Sequence, residues 1–290
     1  MPDSPVHLLR DAKKRGARLA MVSLYDAPTA ALSCDAGADL LLVGDSMGNV
    51  VLGHDNTVPV TMANIIHHTQ AVVRGVRAST RPNVPVFADL PFGSYSTVEA
   101  AVQNGVELMR AGAHGVKLEG GHETALRAIR VLVESGAPVM GHLGYTPQSA
   151  LQFENVVQGK TTESALRLLN EAHRLQEAGC CGMVLEVVPN EVAARITRDL
   201  AISTIGIGAG PHCDGQVLVW HDLVGFSPGK FRFVKRYAEA REQLGVATRS
   251  FIDEVHGGDF PTTEHGWQMP EAQLQSWQNS DGEKTDDNAQ

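Results

Sequence analysis

The stretch LLVGDSMGNVVLGHDNTVPV, residues 41–60, poses the question from which the fold can be read. An apolar run from Leu40 to Val43 has the look of a short buried strand and stops at Gly44. An acid and a hydroxyl, Asp45 and Ser46, follow at once. A glycine-punctuated segment then runs on until helical patterning resumes at Thr61. A strand that ends on a carboxylate and opens into a long loop is a unit that can repeat.

It does repeat. Candidate strands fall at Leu19–Ser23, Asp39–Val43, Val84–Asp89, Gly115–Glu119, Pro138–His142, Met183–Glu186, Ser203–Ile207 and, less sharply, Val217–Trp220. Segments with 3.6-residue periodicity separate most of them, most clearly Ser96–Ala111, His122–Ser135, Glu163–Ala178 and Glu191–Leu200. Small-residue breaks such as AGAH (111–114), SGAP (135–138) and AGCCG (178–182) close helices where a left-handed residue is wanted. Alternating β and α segments imply a parallel sheet with right-handed crossovers. About eight such units in roughly 250 residues predict a (β/α)₈ TIM-type barrel. A doubly wound open sheet is the alternative. Residues 1–269 read as one catalytic domain, and the polar stretch 270–290 as a solvated tail.

The composition narrows the class. A hydrophobic share of 43% with 20% charged residues is globular. The net charge of −9 speaks against a nucleic-acid-binding face. The first residues lack the apolar core of a signal peptide, and no 18-residue apolar span suggests a membrane segment. Four cysteines without a C-x-x-C pair read as reduced thiols in a cytoplasmic protein.

In a barrel, chemistry belongs at the C-terminal ends of the strands. There the second strand delivers Asp45 and Ser46, the third Asp89, the fourth Lys117 and Glu119, the fifth His142 and the sixth Glu186. Lys117 and Glu119 are two apart and share a face, with Leu118 turned toward the helices. Each residue has a plainer reading. Asp45 and Asp89 could cap helices or turns. Lys117 and Glu119 could form a rim ion pair. His142 could be a hydrogen-bonded structural group. Glu186, set between MVL and VV, should be partly desolvated, which raises a carboxyl pKa and suits a general base. Five consecutive strands that each deliver an ionisable group at the same end favour a site.

Asp45, Asp89 and Glu119 bring three negative charges to one region, against the fixed cation Lys117. Crowded carboxylates call for protonation or a bridging cation, and an all-oxygen donor set selects Mg²⁺ or a similarly hard ion. A bidentate 2-oxo acid would fit the remaining positions. His67 and His68 lie mid-helix and suggest no zinc site. GIGAG at 206–210 is either an anion cradle or a tight strand-to-helix turn.

The stretches LLVGDSMGNVVLGHDNTVPVTM, FADLPFGSYST, GVKLEGG, MGHLGYTPQS, VLEVVP and IGIGAGPHCDGQVLVWHDLVG together closely resemble the ketopantoate hydroxymethyltransferases, in order, from about Leu19 to His265. The resemblance implies a barrel of the phosphoenolpyruvate/pyruvate superfamily. It implies hydroxymethyl transfer from 5,10-methylenetetrahydrofolate to 3-methyl-2-oxobutanoate, giving 2-dehydropantoate for pantothenate synthesis. It further implies Mg²⁺ held by Asp45 and Asp89, with Glu119 as a third ligand, directly or through water. Asp45, Ser46, Asp89, Lys117 and His142 would bind the 2-oxo acid, and Glu186 would be the proton acceptor. Small-molecule substrates and a homo-oligomer, a decamer in the family, are the implied partners. The chain departs from the family at Tyr145, where leucine is usual, at Gly93, where methionine is usual, and across LQFENVVQG (151–159). Rival readings are a folate-independent carbon–carbon lyase or mutase, a Schiff-base enzyme using Lys117, and a silent metabolite-binding barrel.

Overall fold

Eight parallel strands close on themselves in chain order. They are β1 (Leu19–Ser23), β2 (Leu40–Val43), β3 (Val86–Asp89), β4 (Gly115–Lys117), β5 (Val139–Gly144), β6 (Gly182–Glu186), β7 (Ser203–Ile207) and β8 (Gly215–Val219). β8 pairs with β1 over five residues, which closes the barrel and excludes the open sheet. The structure is a computed structural model and describes residues 4–229 and 231–280.

The crossover helices start where side-chain oxygens or nitrogens satisfy free backbone N–H groups. Thr61 and Asn64 form a capping box before Met62–Ala78, and Thr161 and Ser164 form one before Thr162–Glu177. Thr97 caps Val98–Arg110, and His122 caps Glu123–Glu134 through its Nδ1. Between helices and barrel lies a layer that includes Leu41, Val43, Val86, Ala88, Val116, Leu118 and Leu185. The alternate strand positions fill the barrel with Leu19, Met21, Leu40, Leu42, Phe87, Met140, Val184, Ile205 and Val217.

Two features depart from simple repetition. Helix Pro5–Arg15 precedes the first strand and contributes Leu9 and Ala12 to the interior cluster. Its Leu9 carbonyl accepts a 2.7 Å hydrogen bond from Ser203 Oγ at the start of β7, so this helix stops the N-terminal end of the barrel. GIGAG does not open a helix: residues 208–214 return to β8 as irregular chain, with Gly208 and Gly210 at positive φ. The expectation of a strand-to-helix turn there is therefore wrong, because β7 and β8 are joined without a crossover helix.

The chain divides into two compact units, Met1–Glu239 and Ala240–Gln290, and the barrel lies in the first. The second holds helices Ala240–Gly257 and Glu271–Ser280. The latter occupies part of the stretch read as a polar tail, of which residues 281–290 lie outside those described. Among the described residues no helix is long and apolar enough to cross a membrane. The four cysteines are free thiols.

Gly144 ends β5 at φ +98°, and a Cβ there would collide with the carbonyl oxygen of Glu186 on β6. Gly144→Ala is expected to destabilise the chain by about 2 kcal/mol or more, from left-handed strain plus overlap. Urea unfolding measures this, and a loss below about 0.5 kcal/mol, the scale of an ordinary surface change, would mean the strands tolerate separation here.

Candidate active site

The two-residue strand period sets the site. Phe87, Met140 and Val184 fill the barrel interior, and two residues later on the same strands come Asp89, His142 and Glu186. Gly115 and Lys117 on β4, and Glu119 two residues beyond, follow the same alternation. Register aligns Asp89 with Lys117 and Gly144 with Glu186. These upper residues, with Asp45 and Ser46 after β2, line one cavity of about 380 Å³. All seven side chains expected from the sequence therefore meet at the C-terminal mouth.

Inside it the charges are paired in a definite order. Lys117 Nζ donates to Asp89 Oδ1 at 2.7 Å, with both side chains almost fully buried. The other oxygen of Asp89 accepts the Asp45 backbone N–H at 3.0 Å. Glu119 is engaged at both oxygens, with Oε1 3.1 Å from His142 Nδ1 and Oε2 accepting the Gln148 N–H at 3.1 Å. The plain rim pair between Lys117 and Glu119 is thus replaced by pairs of Lys117 with Asp89 and of Glu119 with His142. Asp45 caps no helix with its side chain, since the short helix Met47–Val50 has no side-chain cap.

Burial works against the Lys117 ammonium, but Asp89, Glu119 and Asp45 outweigh it and raise its pKa above the usual range. A charged amine is not a nucleophile, which disfavours the Schiff-base reading. Burial also raises Asp45, and repulsion from Asp89 and Glu119 adds to it. Glu119 stays below the ordinary carboxyl range because His142, Lys117 and the Gln148 N–H overcome its burial. For His142, burial and Lys117 work downward, yet Glu119 and the nearby Glu186 push it up to about 9. Its Nε2 lies 3.3 Å from Glu186 Oε2 but lacks the alignment of a hydrogen bond, and this buried atom has no other partner. Glu186 retains 19% side-chain exposure, open to the cavity.

The backbone bends sharply beside Glu186. Val187 sits at φ 50°, a costly conformation for a β-branched residue. Its N–H donates to Ile207 O at 2.9 Å, and its carbonyl accepts from Gln158 N at 3.1 Å. The strand is turned away directly after the carboxylate and held there.

Sequence reasoning missed a supporting set of neutral groups. Tyr25 OH is 2.8 Å from Ser46 Oγ and 3.4 Å from Ser23 Oγ. Gln148 Nε2 donates to Asp45 Oδ2 at 2.7 Å and to Leu90 O at 3.0 Å, and Tyr95 OH donates to Gln148 Oε1 at 2.7 Å. The only sequence signal was position: Gln148 follows the β5 end in the stretch MGHLGYTPQS.

Among the described residues no three His, Cys, Asp or Glu side chains converge as a preformed metal cage. Asp89 and Glu119 are instead turned toward Lys117, His142 and Gln148.

A sequence profile of ketopantoate hydroxymethyltransferase matches residues 4–263. The chain belongs to the ketopantoate hydroxymethyltransferase family. It is 48% identical over 267 residues to the 3-methyl-2-oxobutanoate hydroxymethyltransferase of Syntrophus aciditrophicus, covering 90% of this chain and 95% of that one. The enzyme of the same name from Moorella thermoacetica is 49% identical over 263 residues, covering 89% and 96%. Among solved structures, a phosphonopyruvate hydrolase superposes with a TM-score of 0.61 at 11% identity, covering 97% of this chain and 98% of the other. A 2,3-dimethylmalate lyase of the PEP mutase/isocitrate lyase superfamily gives 0.57 at 16% identity, covering 97% and 99%. At such identities these two share the fold. The family match over most of the chain disfavours the lyase and mutase readings. Of the departures from the family pattern, Tyr145 lines the cavity and packs against Phe153 with ring centroids 5.8 Å apart.

The folded-state pKa of His142 is raised, so its protonation stabilises the metal-free chain below about 6.5, the unfolded value, and that contribution is lost as pH rises toward about 9. The difference in unfolding free energy between the wild type and His142→Gln is expected to shrink across that window. A difference that grows with pH would show the imidazole to be neutral in the fold.

Proposed function

We propose that this cavity transfers a one-carbon unit from 5,10-methylenetetrahydrofolate to C3 of 3-methyl-2-oxobutanoate, giving 2-dehydropantoate for pantothenate synthesis. One water is consumed, and its oxygen becomes the new hydroxyl. The observation that carries the reading is Glu186 opening into the same cavity as the buried set of Asp45, Asp89 and Lys117, with His142 Nε2 unpartnered between them.

The donor set suits a divalent cation. Asp45 is buried, its side chain receives a neutral amide, and its charge is disfavoured by two neighbouring acids. Asp45 and Asp89 would hold Mg²⁺. Glu119 would be a third ligand, through water. Two carboxylates suffice, because Mg²⁺ keeps water or substrate oxygens in its other positions. When bound, the ion supplies Lewis acidity toward the 2-oxo oxygen.

The chain's own residues do the rest. Lys117 attracts the anionic substrate and offsets the charge that develops on it. Ser46, oriented by Tyr25, donates to a substrate carboxylate oxygen. Glu186 takes the C3 proton, a step typically worth about 10²–10⁴-fold. His142, protonated and pinned at Nδ1 by Glu119, donates from Nε2 to the oxygen where charge accumulates. Water takes the methylene carbon off folate: both C–N bonds break, the two nitrogens keep the water's protons as tetrahydrofolate leaves, and the carbon departs as formaldehyde. The freed electron pair at C3 then attacks that carbon, and the resulting alkoxide takes the proton held by Glu186 to become the hydroxyl. The functional assembly is assigned as a homo-oligomer, a decamer by family resemblance, working in the cytoplasm.

Glu186→Gln is expected to abolish exchange of the substrate C3 hydrogen in D₂O, followed by NMR, while Mg²⁺-dependent binding of the 2-oxo acid persists. Fast exchange in the variant would remove Glu186 from the base role.

A further inference from the structure

We propose that Gln148 is a positioning residue whose side-chain amide decides which oxygen of Asp45 faces the cavity. The inference rests on the cation-binding role given to Asp45 above. Its ground is the complete use of one buried amide. A glutamine side chain offers two N–H donors and one carbonyl acceptor. Here one nitrogen, Nε2, serves Asp45 Oδ2 at 2.7 Å and Leu90 O at 3.0 Å. The carbonyl Oε1 accepts from Tyr95 OH at 2.7 Å. The backbone N–H of the same residue holds Glu119 Oε2 at 3.1 Å.

The amide cannot flip without placing its oxygen against two acceptors, the Asp45 carboxylate and the Leu90 carbonyl. Gln148 and Tyr95 are both buried, so bulk water is not at hand to replace either. One residue after β5 thus ties the loops that follow β2, β3 and β4. Its neutrality matters as much as its reach. A lysine or arginine in its place would neutralise Asp45 and compete with a bound cation. An amide orients the carboxyl group, occupies Oδ2 and brings no charge that would compete with a cation. Oδ1 is then the oxygen presented to the ion. Leu90 O and Tyr95 extend the restraint into the loop that carries Gly93.

The test is a titration of the metal-free full-length chain with Mn²⁺, read by electron paramagnetic resonance of the free ion, so that it does not depend on turnover. Gln148→Met keeps the length and removes all three side-chain hydrogen bonds. It is expected to weaken Mn²⁺ binding at least tenfold with the wild-type circular dichroism spectrum retained. In an Asp45→Asn background the same substitution is expected to change affinity less than twofold, because the carboxylate to be oriented is gone. If Gln148→Met does not fold, Tyr95→Phe decides, with at least threefold weaker binding expected from a released amide. Unchanged Mn²⁺ affinity in the deciding variant, or an equal loss in the Asp45→Asn background, overturns the role of Gln148 while leaving the metal assignment standing. A wild-type chain that binds no Mn²⁺ would instead overturn that assignment, and this inference with it.

Discussion

The ion pair of Lys117 and Asp89, 2.7 Å apart and buried between β3 and β4, is the constraint on which the mouth of the barrel depends. A charge this deep is tolerated only when paired and hydrogen-bonded. The pair fixes the Asp89 carboxylate, whose second oxygen then receives the Asp45 N–H and so anchors the turn after β2. That turn carries Asp45 and Ser46 into the cavity. A second chain of contacts, from Glu119 through His142 to Glu186, runs along the β4 to β6 side. The two chains meet at Gln148.

This order explains why acids outnumber cations without the site flying apart. Lys117 is held charged, and His142 is biased toward the imidazolium, so two positive groups stand among Asp45, Asp89, Glu119 and Glu186. Among these acids Asp45 is the one whose ionisation the surroundings disfavour, through burial and repulsion from Asp89 and Glu119, so a cation beside it would relieve the most repulsion. Backbone geometry contributes as well. Val187 at φ 50° and the glycine contact at position 144 hold Glu186 between two strands that approach closely. The barrel is shared with enzymes of 11% and 16% identity, so the fold alone does not name the reaction. In the proposed reaction the side chains at the strand ends carry the chemistry.

Much of this was legible in the sequence because strands alternate. The spacing of Lys117 and Glu119 placed both on the inner face, and the acid just past β2 and the acid that closes β3 marked the ends of their strands. The partners were less legible. Lys117 and Glu119 invited each other as neighbours, yet register set Asp89 directly opposite Lys117. Gln148 and Tyr95 are neutral, and their bonds span 103 and 53 residues, so no local pattern reported them. The helix that stops the barrel floor precedes the repeating units and had no periodic partner to announce it. GIGAG has the composition of a helix-opening turn, but nothing in it said that β7 and β8 would join without a helix.

In the proposed complex, acids from neighbouring strand ends hold a divalent ion against a 2-oxo acid whose C3 faces Glu186. A crystal structure with Mn²⁺ and 3-methyl-2-oxobutanoate, read by anomalous scattering, tests it most directly. A metal peak is expected at coordination distance, about 2.1 Å for an ion of this kind, from carboxylate oxygens of Asp45 and Asp89 and from the substrate's 2-oxo oxygen, with C3 turned to Glu186. A metal peak outside this cavity, or C3 turned away from Glu186, would contradict it.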